Sequence, residues 1–467
     1  MKQTGNLRFD RRWTCMSGCA LLAAWLGVCG AGGQQPPPSA GPSEAEVLLN
    51  LLEQKGLITA QEAAQTRQEL SRRLTRAQTV QEEPGRVTLR SWVEKLDLYG
   101  DLRLRFEHRS GEDDLAAGDD RMERNRWRYR LRAGANLDLG ESWRAGIRIE
   151  TGPGGRSSNV TFGDDSGPWG KESDRLFVGL LYLQWAPSQW LTLTAGRQEN
   201  PFVTTVLAWD HDLAPEGLSE SFRYRIGSVE WFATLGQFLY DDANPDNPFG
   251  GGPSWADAFL FGQQVGARWT PHKDWKITVA PLLTLYSGAG DSFRTPFTGL
   301  TPAGTAGIND LALLELPVEL AWSGWTVPVR VFGDFAVNLD GSDRARAAGQ
   351  AAYDDEVYAW LAGVELGSAR KKGGWSARVF YLEHGLFALD PNLVDSDLFD
   401  SRLNMRGVVV QGSYAFTDFL SLSLTYARAE RKEKALPTGA VGDLGGSSGT
   451  AWLDDYQLFQ ADLNLRF

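Results

Sequence analysis

Arg126, Arg128, Arg130 and Arg132 take every second position of one stretch, with Trp127, Tyr129, Leu131 and Ala133 beside them. A spacing of two is the period of an extended strand, whose side chains alternate between faces. One face is then a row of guanidinium groups, planar forks of donors suited to carboxylates, phosphates and other anions. Two neighbouring stretches repeat the pattern. Arg103 and Arg105 oppose Leu102, Leu104 and Phe106, while Arg144 and Arg148 oppose Trp143, Ala145, Ile147 and Ile149. These eight arginines would form one basic wall, which either attracts anions and polarises passing solutes or is neutralised by Asp101, Glu107 and Glu150 on the same face.

Other chemistry is poorly represented. There are four histidines, His108, His211, His272 and His384, and no G-x-S-x-G, H-E-x-x-H or C-x-x-C. His211 sits between Asp210 and Asp212 but has no second histidine near it to complete a metal site. No catalytic residue, metal or cofactor is expected, and the reading is not that of an enzyme. The net charge of −12 argues against nucleic acid as a partner. Glu112, Asp113, Asp114, Asp119 and Asp120 crowd one loop and Asp340, Asp343, Asp354, Asp355 and Glu356 another. Such runs read as solvated charge or as sites where divalent cations bridge to lipopolysaccharide.

The chain opens as an exported protein. Lys2, Arg8, Arg11 and Arg12 precede a short apolar run, Cys19 to Val28, then the small residues Gly30, Ala31 and Gly32. Residues 1–31 therefore read as a cleaved signal peptide, too short in its apolar part to span a bilayer. All three cysteines, Cys15, Cys19 and Cys29, lie there, so the mature chain would have no thiol chemistry. No later run is apolar enough for a membrane helix. The abundance of aromatics, 18 Trp, 22 Phe and 12 Tyr against 4 Met, suits a barrel with aromatic girdles instead.

Residues 32–43 are a Pro-rich linker and 44–80 a helical segment. There Val47, Leu48, Leu51 and Leu52 share a stripe, and Thr59 with Glu62 forms a capping box. This pair of helices would form a periplasmic coiled coil, touch the cell wall or remain a loosely packed tail. Residues 81–96 are a second linker. From 97 to 467 sixteen strand-like segments are separated by seven short turns and eight long loops in strict alternation. That parity is the signature of an all-β, antiparallel up-and-down transmembrane β-barrel with both termini in the periplasm. The last strand agrees: Phe459, Ala461, Leu463, Leu465 and Phe467 face one way, and Gln460, Asp462, Asn464 and Arg466 the other. An apolar strand ending at the last residue needs a partner edge, and closure onto the first strand supplies it. An arginine facing mid-bilayer lipid costs ~2–4 kcal/mol, so the arginine row must face the lumen.

Particular motifs carry a family resemblance. Tyr99-Gly100-Asp101-Leu102-Arg103-Leu104-Arg105, the Arg-rich second strand and Gly196-Arg197-Gln198-Glu199-Asn200-Pro201-Phe202 resemble the putative-porin family of Gram-negative outer membranes. So do Trp209 to Leu218, Asp397-Leu398-Phe399-Asp400 and the segment Leu48 to Glu62. The resemblance implies a porin-like barrel among outer-membrane lipid and lipopolysaccharide, passing small hydrophilic solutes, and a homotrimer. No strand face reads as polar enough to mark the interface. The loop after strand five, 199–218, carries Phe202, Val203, Val206, Leu207 and Trp209, which want a surface to pack on. Folded inward as in large porins, it would set Glu199, Asp210, Asp212 and Glu216 against the arginine wall and make a constriction; the alternatives are a rim loop or a cover over a neighbouring subunit. The functional expectation is passive diffusion with a preference for anions. A channel specific for an oxyanion, sugar or organic acid is the second reading, and a plugged structural or adhesive barrel the third.

Overall fold

A computed structural model describes residues 51–55, 59, 61–66, 68, 92–113, 121–153, 157–170, 174–241, 257–287, 310–438, 444 and 452–467. The chain divides into two compact units, Met1–Leu89 and Arg90–Phe467. In the first, residues 51–54 and 61–66 are helical. The capping box forms: the Thr59 amide donates to Glu62 Oε2 at 2.8 Å and the Glu62 amide to Thr59 Oγ1 at 3.3 Å. The expected signal peptide and Pro-rich linker lie outside the described residues.

The second unit is a closed antiparallel sheet. Its strands are β1 (Lys95–Asp113), β2 (Met122–Asp138), β3 (Trp143–Gly152), β4 (Arg175–Ser188), β5 (Leu191–Arg197), β6 (Glu216–Ile226), β7 (Val229–Asp241) and β8 (Ala258–Trp269). Then come β9 (Trp275–Val279 and Leu282–Ser287), β10 (Ala312–Glu315 and Val318–Trp322), β11 (Val329–Asn338), β12 (Tyr358–Gly367), β13 (Trp375–His384), β14 (Met405–Ala415), β15 (Leu420–Arg431) and β16 (Leu453–Arg466). Each pairs with its neighbour, and β16 closes on β1 with Leu102 opposite Leu465 and Phe106 opposite Ala461. The sixteen strands and their alternating connections agree with the pattern of the sequence. β9 and β10 are each broken beside a proline, Pro281 and Pro317, because proline cannot donate to the ladder. The two breaks adjoin one another: the Ala280 amide donates to the Pro317 carbonyl at 3.1 Å. A two-residue ribbon, Val160–Thr161, folds back onto the upper part of β2, above the reach of β3.

Alternation settles which face is which. Leu102, Leu104, Trp127 and Leu131 are exposed on the outside, while Arg105, Glu107, Arg126, Arg128 and Arg130 are buried inside. Aromatic pairs ring the turn end of the barrel, among them Trp143–Trp185 at 5.4 Å and Trp275–Trp322 at 5.7 Å. Phe106–Trp127 at 5.1 Å marks the loop end. Burying an aromatic at each interface while presenting apolar side chains between them matches a bilayer-spanning barrel.

The lumen is partly filled at the loop end. Leu386, Phe387, Leu389 and Phe399, from the connection between β13 and β14, pack with Val206 and Leu207 and the inward wall residues Phe332, Leu361 and Phe380. Leu436 and Leu444 of the last loop join them. These apolar loop residues find in the inner wall the burial that solvent would deny them.

Candidate functional site

Below this packed layer lies a chamber of about 810 Å3. Five of the eight sequence-predicted arginines border it: Arg103, Arg105, Arg130, Arg132 and Arg148. Arg126 and Arg128 do not; they are buried higher up, Arg126 on Glu107 and Arg128 on Ser157 Oγ and the Asn159 carbonyl, both at 3.0 Å. Arg144 does not either, for it pairs with Asp138 at 2.6 Å at the turn end of β2 and β3. The three lie off the chamber because a strand facing the lumen still runs the whole barrel height, and only its middle part meets open space.

The wall is heavily neutralised. Glu107, fully buried, accepts from Arg126 at 2.5 Å, Arg109 at 2.9 Å and Gln460 at 3.0 Å, and Arg105 and Arg128 each lie 3.6 Å away. Arg105 forks onto Asp462 at 2.7 and 2.9 Å and reaches Asp397 at 2.6 Å. Arg109 holds Asp400 at 2.7 Å and Asp397 at 3.1 Å. Asp397 and Asp400 belong to the Asp397-Leu398-Phe399-Asp400 turn, where Phe399, Asp400 and Ser401 run consecutively at φ of 52°, 59° and 59°. Non-glycine residues rarely take that conformation, and single-point ion pairs from Arg105 and Arg109 of β1 to Asp397 and Asp400 tie the turn down. Burial alone would raise the Asp397 carboxyl, but Arg105 and Arg109 outweigh it and hold the group well below the usual carboxylate range.

The loop after β5 enters the barrel. Gly196 and Gly217, at φ of 117° and 151°, flank it where a Cβ would lie 2.3 Å from the Leu181 carbonyl and 2.1 Å from the Gln237 carbonyl. The Phe202 ring lies over Gly236 and Gly262, the Val203 amide donates to Gln264 at 2.8 Å, and Thr205 donates to Asp334 at 2.6 Å. Its four predicted carboxylates part company. Asp212 approaches Arg130 at 3.4 Å and Arg132 at 3.7 Å, and exposed Glu199 approaches Arg148 at 3.7 Å. Asp210 turns instead to the β13–β14 connection, accepting from the Ser396 amide at 3.1 Å. Glu216 is a correction: it opens β6 rather than ending the loop, and its side chain faces outward, paired with Arg197 at 3.0 Å. Opposite lie two carboxyls raised by burial: Asp395, beside Asp210 and Asp397, is pushed up to about 8, and Asp210, beside Asp212, is raised as well.

The sequence reading missed the far wall. Arg330 on β11 and Arg378 on β13 also border the chamber. Arg330 is claimed by Glu319 at 2.9 Å and Glu365 at 2.5 Å. Arg378 has no carboxylate within ion-pair distance among the described residues. Its guanidinium stacks over Phe332 at 4.5 Å and Phe380 at 4.6 Å and gives one long bond to Gln411 at 3.4 Å. Alternation along Trp375-Ser376-Ala377-Arg378 carries the signal, since Arg378 shares a parity with Phe380. Eight arginines and eight carboxylates line the chamber in all. Asp395, pushed up to about 8, holds its proton at neutral pH and takes one negative charge from this lining. Among the described residues no cluster of histidine, cysteine and carboxylate could hold a metal ion.

Residues 116–287 match the family described as putative porin, which bears out the resemblance carried by the motifs. No curated protein matches. Among solved structures the chain is similar to an anion-selective porin from Comamonas acidovorans, at 10% identity and a TM-score of 0.44, covering 80% of this chain and 99% of that one. It is similar also to a mutant of the Rh. blastica porin, at 12% identity and a TM-score of 0.41 over 80% and 100%. A loop-deletion mutant of OmpT, an outer membrane protein of Vibrio cholerae, gives 14% identity and a TM-score of 0.41 over 80% and 99%. Identity this low transfers no selectivity.

Proposed function

We propose that this porin of the outer membrane passes small hydrophilic solutes by passive diffusion and prefers anions. The observation that carries the reading is Arg378, a chamber-lining guanidinium with no carboxylate within ion-pair distance among the described residues, facing a lining in which Arg103, Arg105, Arg130, Arg132, Arg148 and Arg330 are each paired. An unpaired cation in a confined, poorly screened space raises the local concentration of anions and lowers that of cations. The paired wall of β1–β3 lines the path with donors and acceptors rather than free charge, because Asp101, Asp212, Asp397 and Asp462 engage its arginines. Polar solutes find donors and acceptors on all sides, and no specific solute geometry is needed.

The packed loops favour a second reading, a restricted channel for small organic or inorganic acids. Export through a cleaved signal peptide, assembly as a homotrimer, contact with lipopolysaccharide and attachment to the cell wall through residues 44–80 belong to this proposal, supported by the sequence patterns. The test is the current carried by the refolded protein in a planar bilayer under a KCl gradient. A reversal potential on the chloride side supports anion preference, and one on the potassium side overturns it.

A further inference from the structure

A second basic region lies at the turn end of the lumen, apart from the chamber. Arg223 and Arg225 on β6, Arg268 on β8 and Lys276 on β9 share one arc of wall, and none of them borders the chamber. Register fixes their facing. Arg223 stands opposite Phe232, whose ring is buried inside the barrel, and Arg225 and Arg268 both stand opposite Glu230. Arg268 also opposes Thr278, buried on the inner face, and Lys276 stands two residues along that same face. The sequence neighbours Trp231, Trp269 and Trp275 point the other way and are exposed on the outside. The arc therefore sits at the height of the turn-end girdle, at the mouth of the barrel.

Charge on this arc does not balance. At this height Glu230 is the one inward carboxylate of β6–β9 among the described residues. Its Oε2 accepts from Arg225 at 3.1 Å and its Oε1 from Arg268 at 2.8 Å. Arg223 and Lys276, both exposed, are left with no carboxylate within ion-pair distance among the described residues. Asp274, in the adjoining turn, lies against His272 at 3.3 Å and is matched in charge by Lys273. Four cations thus face one carboxylate. Arg268 is steadied by its stack over Phe232 at 4.3 Å. Neighbouring strands lie about 4.8 Å apart, so β6 to β9 span about 14 Å. The Debye length at physiological salt is about 8 Å, so an anion at the middle of the arc feels all four cations together. We propose that this arc is a binding site for multivalent, phosphate-bearing anions at the periplasmic mouth. Guanidinium forks and an ammonium on one wall suit tetrahedral groups whose oxygens point several ways, whereas one carboxylate is satisfied by one fork. A monovalent ion gains little here, because it meets one exposed, screened charge at a time. The inference rests on the pore reading above and deepens it, adding to a general anion preference one class of solute held at one mouth and not at the other.

The experiment uses pyrophosphate on the refolded full chain. In detergent, isothermal titration should show binding that the Arg223→Ala, Lys276→Ala variant weakens roughly tenfold, through the loss of two charge-assisted contacts. Ser421→Ala, on the inner face of β15 across the mouth, should leave the binding unchanged. The charge-keeping variant Arg223→Lys, Lys276→Arg should retain most of it, a readout that survives if the alanine variant does not fold. In a planar bilayer, pyrophosphate should reduce the KCl current at a lower concentration from one side than from the other, and the alanine variant should abolish that difference. Unchanged binding in the folded alanine variant, equal block from both sides of the natural chain, or citrate bound as tightly as pyrophosphate would overturn the proposal. A natural chain that conducts KCl yet binds no pyrophosphate overturns this site alone. One that binds pyrophosphate at these residues but passes no current supports the site and contradicts the pore reading.

Discussion

Two walls of the same chamber use arginine in opposite ways. On β1–β3 the guanidiniums are numerous, buried and saturated: Glu107 alone lies within 4 Å of four of them. On β13 Arg378 has no carboxylate within ion-pair distance among the described residues and is laid over two phenylalanine rings. The crowded wall is scaffolding that ties β1 to the inward loops, and the sparse wall carries the free charge. The proposed anion preference therefore rests on the sparse wall, because a buried ion pair gives structure and little net field.

The contrast breaks most visibly at Glu107. Glu107→Gln leaves several buried guanidiniums uncompensated, and removing one partner from such a network costs ~3–5 kcal/mol. Denaturant unfolding of the refolded barrel should show a loss of that size with little change in reversal potential. Gly262→Ala comes next. The added Cβ would sit 2.2 Å from the Phe202 ring, and overpacking of this kind costs ~1–3 kcal/mol. Limited proteolysis should find the loop after β5 more readily cut, with the barrel intact.

Arg378→Ala has the opposite profile. Stability should change little, and the chloride-to-potassium permeability ratio should fall roughly thirtyfold, because a unit charge at about 10 Å in an effective dielectric near 30 acts on the two ions by about 1 kcal/mol each in opposite senses. Arg105→Ala should shift that ratio less while costing more stability. An equal shift from both variants would erase the distinction between the walls.

The smallest effect is one of pH. Asp395 is pushed up to about 8, so the folded loop holds a proton that the unfolded chain loses near 4. The contact between this loop and Asp210 is therefore most stable below about 4 and weakens progressively as pH rises toward 8. Above that range a new negative charge enters a lining that also carries Asp210, Asp212, Asp397 and Arg105, and anion preference should decline. Asp395→Asn keeps the acceptor for the Asp397 and Leu398 amides and should flatten the pH dependence of the reversal potential between 6 and 9.

Strand number and facing were legible because both follow from a period of two that sixteen segments repeat. Strand ends were less so: β1 extends to Asp113, and β6 starts at Glu216, three residues earlier than the alternation suggests. That shift alone carries Glu216 out of the lumen. The course of Asp397-Leu398-Phe399-Asp400 was not legible. Its inward path depends on Arg105 and Arg109, nearly 300 residues earlier in the chain, and no local pattern encodes that meeting. Arg378 was legible in principle, since it falls on the inward face of a clear strand. Attention to the densest charge hid it.

The most direct test is the single-channel current of the refolded natural chain beside Arg378→Ala under a KCl gradient. Stable ohmic steps with a chloride-side reversal potential that moves toward zero in the variant are what the chamber predicts. A correctly folded barrel that passes no current would contradict it and make the inward loops a plug.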